Sequence, residues 1–188
     1  MLAAAAAALA LQAVPAGLAH AQIGNQSKSP IDITADQAEV VQSKCQAIWR
    51  GAAEALQDQS RLRADTITVS SQHKTGAAAK AQDPNGQGSC GPTDRIEADG
   101  HVYYVTPERE ARGDHAVYTQ SNDQIVMTGD VIVVQGQNVA RGDKLIINVA
   151  SKQATMVSDV TGLGKPNRVR GVYFPDKTAP AGGAPAKP

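Results

Sequence analysis

A 29-residue period runs through the sequence, and it limits the chain to folds built from equivalent stacked units. Residues 111–114 (Ala-Arg-Gly-Asp) recur as residues 140–143, and Gly100 recurs as Gly129. Marker Asp and Gly residues alternate every 14 or 15 positions. The interval from Asp65 to Gly100 departs from this spacing, because it spans 35 positions. The period predicts a repeated supersecondary unit with one long insertion.

Each unit has the chemistry of β-strands. Val and Ile dominate residues 125–134 and 144–149, which have strand length and are bounded by Gly, Asp or Asn. The Gly inside each strand pattern predicts a bulge or bend, and the Asp predicts the opposite corner, where its carboxylate bonds local backbone N–H groups. A unit that reverses every 14 or 15 residues builds two facing sheets. The sequence therefore predicts an all-β fold, either a β-jelly-roll or a flattened solenoid.

Side-chain alternation assigns one side of every strand to the space between the two sheets. Inward Ile and Val usually pack against each other as a core, and the pattern alone favours that reading over a gap that stays open to an apolar guest molecule. The residues expected to line the gap are Ile31, Ile33, Val40, Trp49, Ile67, Val69, Ile96, Val102, Tyr104, Tyr118, Ile125, Met127, Val131, Val133, Leu145 and Ile147.

The two ends of the chain have the composition of segments outside the fold. Residues 1–21 combine a short apolar run with Ala-His-Ala, which predicts an export signal cleaved between Ala21 and Gln22. The alternatives are an uncleaved anchor and an Ala-rich helix. Residues 22–28 are expected to be a flexible N-terminus, and residues 176–188, rich in Pro, Ala and Gly, a disordered tail.

Residues 29–175 are the predicted domain, and about residues 70–92 are its inserted surface loop, rich in Gly, Ala, Ser and Gln. Cys45 and Cys90 make an even cysteine count in an exported chain, which favours a disulfide bond between them over two free thiols. The two cysteines fit neither a CxxC redox motif nor a zinc-site spacing.

Several function classes are disfavoured by composition. Basic and acidic residues number 18 each, so the chain lacks the basic excess of a nucleic-acid binder. Aromatic residues make up 3%, and four Leu remain after residue 21, which disfavours base-stacking surfaces and helix bundles. His73, His101 and His115 are not accompanied by a catalytic or metal-binding constellation. We therefore expect no enzyme activity, no metal site and no cofactor.

The motifs and their joint spacing resemble those of a known family. Residues 30–37 (Pro-Ile-Asp-Ile-Thr-Ala-Asp-Gln), 63–69 and 129–131 (Gly-Asp-Val) are similar to elements of the periplasmic lipopolysaccharide-export bridge family, the LptA or OstA-like (organic solvent tolerance-like N-terminal domain) family. Ser158-Asp159 followed by Arg168-Val169 resembles its last strand. The likeness covers about residues 29–175. One departure is Gly51-Ala52-Ala53, where the family usually has Gly-Asn/Asp-Val.

The resemblance implies a fold and a function. The fold would be an open, twisted β-jelly-roll of short antiparallel strands, and the gap-lining residues would bind the acyl chains of lipid A. The protein would be a periplasmic lipopolysaccharide carrier whose copies stack head to tail. It would join an anchored inner-membrane partner to an outer-membrane translocon, both with the same fold.

Stacking of this kind needs unpaired edge strands, which the sequence places at residues 29–34 and 168–174. Four Arg residues offer charges for lipid phosphates, although solvated ion pairs with neighbouring Asp are the more ordinary role for each of them. These are Arg61, Arg63, Arg112 and Arg141. Two alternatives remain: a membrane-anchored partner of the same bridge, and a structural β-solenoid that carries no lipid.

Overall fold

A computed structural model describes residue 27, residues 29–74 and residues 90–175. The predicted signal with its cleavage site, nearly all of the predicted flexible N-terminus and the predicted tail lie outside the described residues, as does most of the predicted insert.

The described residues fold into one antiparallel sheet of ten strands. Segments rich in Val, Ile and Thr form the long central strands, as their β-propensity predicts. Short 3-10 turns, Gln42–Lys44 and Gln120–Asn122, separate some of them. The strands are β1 (Asp32–Thr34), β2 (Gln37–Val41), β3 (Gln46–Gln57), β4 (Ser60–His73), β5 (Cys90–Val105), β6 (Glu110–Thr119), β7 (Gln124–Gln135), β8 (Asn138–Asn148), β9 (Gln153–Val157) and β10 (Arg170–Val172).

Bulges divide the sheet into two layers. The pairing register shifts in the middle of the strand pairs from β3–β4 to β7–β8, so each long strand contributes one half to each layer. Layer A contains residues 37–41, 46–50, 66–73, 90–99, 115–119, 124–128, 144–148 and 153–157. Layer B contains residues 32–34, 53–57, 60–64, 102–105, 110–112, 131–135, 138–141 and 170–172.

The repeated Gly and Asp markers meet at these bends. Gly51, Gly100 and Gly129 have φ of +83°, +76° and +84°, and a Cβ atom on any of them would collide with the Asp carboxylate of the preceding strand. The expectation that Asp occupies the opposite corner is therefore wrong: Asp and Gly face each other across one bend. Their spacing of 14 or 15 residues arises because the chain leaves the bend, turns and returns to it.

Two boundaries of the predicted insert are corrected by the strand pairing. β4 continues to His73 and β5 begins at Cys90, and these two residues are paired. Residues 70–73 and 90–92 are therefore strand residues. Ladder hydrogen bonds extend the regular structure here despite a composition poor in Val and Ile, because pairing satisfies backbone groups regardless of side chain.

The sheet remains open at both ends, which confirms the predicted open all-β class. β1 and β2 form one edge and each pairs only with β3. β9 and β10 form the other edge and each pairs only with β8. We call these the N-terminal edge and the C-terminal edge; β1 and β10 lie within the two predicted edge segments, whereas β2 and β9 lie outside them.

Candidate functional site

Three cross-strand rows of side chains face the space between the layers. Residues paired directly across antiparallel strands point to the same side, so the register identifies each row. Row 1 of layer A is Ala38, Trp49, Ile67, Ala98, Ala116, Met127, Leu145 and Met156. Row 2 of layer A is Val40, Ala47, Val69, Ile96, Tyr118, Ile125, Ile147 and Ala154. The layer B row is Ile33, Ala55, Leu62, Tyr104, Ala111, Val133, Ala140 and Gly171.

Every row crosses the sheet from the N-terminal edge to the C-terminal edge. The side chains in these rows are apolar apart from the phenolic oxygens of two Tyr residues and the indole N–H of Trp49. The Tyr118 hydroxyl donates a hydrogen bond to the Asp123 carboxylate at 3.0 Å. The rows therefore make one apolar band that is continuous between the two open edges.

The structure places most of the predicted lining residues in the interior. Ten are buried: Ile67, Ile96, Val102, Tyr104, Tyr118, Ile125, Met127, Val131, Leu145 and Ile147. Four are half-buried and pack against the same core: Ile33, Trp49, Val69 and Val133.

Ile31 and Val40 depart from the predicted buried face. Ile31 is 37% exposed and Val40 is 65% exposed. Val40 pairs with Ala47 and belongs to row 2, so it points to the inner side. It is exposed because β2 is an edge strand, and no further strand of the described chain covers it. The inner face is therefore accessible to solvent at the N-terminal edge.

Among the described residues, side chains of the two layers pack closely over the middle of the band, which departs from the open gap that the family resemblance implies. A cavity of about 20 Å³ lies between the layers near the middle of the band. That volume is close to the space of a single water molecule. The side chains from both layers that line it are Leu62, Ile96, Tyr104, Ala116, Tyr118, Ile125 and Met127. Large apolar side chains collapse together when no guest separates them, because contact removes their surface from water.

Small residues on the return strands, which the sequence reading overlooked, allow this close packing. A Cβ atom on Gly113 would lie 2.8 Å from Cγ of Met127, and one on Gly142 would lie 2.7 Å from Cγ of Met156. The two methionines are 29 residues apart, as are the two glycines. The repeated Gly of Arg-Gly-Asp thus leaves room for a repeated Met, a pairing that the period of the sequence could have indicated. Leu62 and Ala111, also buried and also overlooked, lie opposite Tyr104.

Ion pairs occupy the outer side of the layers. Arg61 and Arg63 contact the Glu54 carboxylate at 2.7 and 3.1 Å, and Arg141 contacts Asp130 at 2.6 Å. These three arginines have the ordinary role that the sequence reading favoured. Arg112 is paired with Tyr103 and Ile132 in the strand register.

Hydrogen bonds near the bends shift the pKa values of two titratable groups. The Asp65 carboxylate lies 2.8 Å from Nδ1 of His101 and raises the pKa of His101. The backbone N–H of Asp159 donates to the Asp143 carboxylate at 2.8 Å and lowers the pKa of Asp143.

One group on the outer side of layer A has the donor types of a cation site. Glu97, Asp99 and His115 bring one ligand atom each to within 4.8 Å of one another, a proximity that the sequence reading overlooked. Nδ1 of His115 lies 2.6 Å from Asp99, and Arg95 contacts Glu97 at 3.3 Å. Asp99 thus already has a hydrogen-bond partner in His115, and Glu97 has an ion-pair partner in Arg95, which is the ordinary arrangement of polar surface residues.

A disulfide bond joins Cys45 to Cys90, which is the pairing that the sequence favoured. Cys45 ends the first 3-10 turn in a left-handed conformation, and Cys90 begins β5. The bond therefore joins the residue before β3 to the start of β5 at one end of layer A, across 45 positions of sequence. Within the described part of the chain, no helix is long and apolar enough to cross a membrane.

Comparisons with known proteins relate this fold to a protein family. No curated protein has significant sequence similarity to the chain. The crystal structure of LptH, titled the LptA-homologous periplasmic component of the lipopolysaccharide transport device from Pseudomonas aeruginosa, superposes with a TM-score of 0.58. The two chains are 21% identical, and the match covers 78% of this chain and 96% of LptH. At that identity the likeness establishes a shared fold.

The family model for "LptA/(LptD N-terminal domain) LPS transport protein" matches residues 32–153. The matched residues run from β1 to the start of β9. They include every strand pairing in the sheet except those of β9 and β10 with β8. The chain belongs to the LptA and LptD N-terminal domain family of lipopolysaccharide transport proteins.

Proposed function

We propose that this chain is a periplasmic lipopolysaccharide carrier that covers the acyl chains of lipid A between its two layers. Assembled head to tail, it bridges inner-membrane and outer-membrane components of the same fold. The observation that carries the proposal is the apolar band, which runs without interruption from one open edge to the other in a member of a lipopolysaccharide transport family. LptH is described as a periplasmic component, which supports a periplasmic location for this chain. The role proposed is transport without catalysis.

The energetics favour an apolar passage of this kind. An acyl chain that crosses water must be covered, and each buried CH2 contributes about 0.8 kcal/mol, so a long chain contributes roughly 10 kcal/mol. A band of Ile, Val, Ala and Met provides that cover with similar affinity at every position. Similar affinity along the path lets the lipid move without being trapped in one place.

The close packing of the interior indicates how a lipid would enter between the layers. The cavity of about 20 Å³ near the middle of the band is smaller than an acyl chain, so we infer that binding separates layer A from layer B there. Val40 at the N-terminal edge is the exposed end of row 2 and offers a point of entry. The lipid would replace contacts between the layers with contacts to its own chains, and the interior would remain dry in both states.

Photo-crosslinking tests the carrier proposal. A benzophenone amino acid at Met127 faces the interior, and the same probe at the adjacent Val126 faces the outer side of the same strand. We expect radiolabelled lipopolysaccharide to crosslink at least about tenfold more at Met127 than at Val126, because neighbouring strand residues point to opposite sides.

A second pair of positions guards against disruption of the core by the bulky probe. Ile33 is half-buried at the N-terminal edge and faces inward, whereas its neighbour Thr34 faces outward. Equal labelling at inner and outer positions, or none at either inner position, would contradict the proposal.

The filled core also favours a second candidate, a structural scaffold that carries no lipid. A packed apolar interior is sufficient to stabilise two layers and needs no guest. The two functions differ in one respect: a scaffold keeps its layers together when lipopolysaccharide is added. The inner-face crosslink therefore separates the two. A membrane-anchored partner of the same bridge is tested differently, by sequencing the N-terminus of the exported protein, which would retain residues 1–21.

A further inference from the structure

Resting on the head-to-tail assembly proposed above, we infer that the repeat fixes the register of the junction between copies, with Arg170 of one copy forming an ion pair with Asp32 of the next. The inference comes from three observations: the alternation of strand direction, the positions of the edge strands in the repeat, and the opposite charges of the two edges.

Strand direction alternates across the whole sheet. β3, β5 and β7 run forward from layer A to layer B, and β4, β6 and β8 return. The N-terminal edge is a return strand broken into β1 and β2, and the C-terminal edge is a forward strand broken into β9 and β10. A second copy placed against the C-terminal edge would therefore continue the antiparallel alternation without a change of direction.

The register of the existing pairs extends across that junction. One row on the outer side of layer B, which we call the outer row, places Glu54 opposite Arg63, Tyr103 opposite Arg112 and Ile132 opposite Arg141. On its other side Arg141 pairs with Arg170, and Glu54 pairs with Thr34. Arg170 and Thr34 are thus the two ends of the outer row. Continuation of the repeat places Arg170 opposite Thr34 of the next copy, and Val172 opposite its Asp32.

An existing ion pair gives the expected contact. Glu54 contacts Arg61 at 2.7 Å although its direct partner is Arg63, because long side chains reach the neighbour two residues away. Asp32 and Arg61 pair with Leu56 from its two sides, so all three residues lie in one cross-strand row. At the junction Arg170 has the place of Glu54, so the same diagonal contact forms with its charges exchanged.

The charges of the two edges agree with this arrangement. Residues 29–41 contain three acidic side chains and no basic ones. Residues 150–175 contain four basic side chains and one acidic one. Among the described residues, no ion pair includes Asp32 or Arg170. Opposite edges therefore attract and identical edges repel, which favours head-to-tail stacking over head-to-head dimers.

The same register closes the apolar band. In layer A it places Ala154 opposite Val40 of the next copy, as Ile125 lies opposite Ile147 within one copy. Val40, which is 65% exposed in the single chain, would then be covered. The junction thus extends row 2 from one copy into the next and gives an acyl chain an uninterrupted apolar path.

A charge-exchange experiment on the full exported chain tests the ion pair. Sedimentation velocity at low salt would compare the wild type, Asp32→Arg, Arg170→Asp and the double variant. Each single variant places like charges together and should weaken association by about tenfold, and the double variant should restore it to within about threefold. Arg112→Asp is the matched control, because it makes the same charge change inside the sheet and should neither weaken association nor rescue Asp32→Arg.

Disulfide trapping measures the register independently of the charges. Thr34→Cys and Arg170→Cys proteins are mixed, oxidised and digested, and the 34–170 peptide is sought by mass spectrometry. Gly171→Cys replaces Arg170→Cys as a control, because residue 171 faces the inner side. Assembly without charge rescue and without the 34–170 link would overturn this register and leave head-to-tail assembly standing. A wild type that remains monomeric at every concentration would overturn both.

Discussion

Removal of the Cys45–Cys90 disulfide is expected to lower the free energy of unfolding by about 4 kcal/mol, from the loss of a constraint on the unfolded chain. The bond spans 45 positions, and the long connection between β4 and β5 lies within that span. The Cys45 carbonyl also accepts a hydrogen bond from the Ser71 N–H at 2.9 Å, a backbone contact that does not require the disulfide. Total stabilities are about 5–15 kcal/mol, so the loss is a large fraction.

Guanidinium unfolding of the Cys45→Ala/Cys90→Ala variant measures this effect against the wild type. The control is reductant, which should lower the unfolding midpoint of the wild type and leave that of the variant unchanged. Equal midpoints for oxidised wild type and variant would show that the bond does not constrain the unfolded chain.

Substitution of Gly129 by Val should destabilise the fold by about 3 kcal/mol or more, since it combines backbone strain with overpacking. Gly129 has a φ of +84°, a conformation that a β-branched residue rarely adopts. Its Cβ would also collide with the Asp114 carboxylate from the neighbouring return strand. The bend is shared by both layers, so the loss should appear in cooperative unfolding of the whole sheet and not in local fraying.

Two alanine variants separate strain from collision. Gly136 also has a positive φ, +58°, and a Cβ atom added to it would meet no atom of the described residues within 4 Å, so Gly136→Ala reports strain alone. Gly129→Ala should cost more than Gly136→Ala, and adding Asp114→Ala should recover part of the difference. If the two single variants were equally stable in urea titrations, the Asp–Gly contact would not be the reason for the repeated pair.

The bends and the apolar band serve the proposed function together. Each bend fixes how the two halves of a strand diverge, and the band lies between those halves. Small residues such as Gly113 and Gly142 let Met127 and Met156 pack closely in the interior. Met side chains are flexible, so they suit an interior whose layers separate and rejoin.

Three apolar residues on the outer side of layer A are neighbours in the strand register. Val117 pairs with Val126, and Val126 pairs with Ile146, all on the outer side of layer A. The three side chains are half-buried because they cover one another. Cross-strand neighbours of this kind stabilise an outer surface without a second layer.

The sequence by itself determined the repeat, the bends and the inner face. These depend on local properties: a Gly allows positive φ wherever it stands, and side chains alternate along any strand. Alternation places the ten buried lining residues on the inner side of their strands, and it places Val126 on the outer side.

Only the tertiary structure decided how the parts meet. Asp114 lies over Gly129, the layers close on a cavity of about 20 Å³, and Val40 remains exposed at an edge. Each of these depends on which distant strand covers a residue, and a pattern along one strand carries no information about that neighbour. Burial of a residue depends on a second segment that covers it, whereas periodicity can be recognised within a single segment.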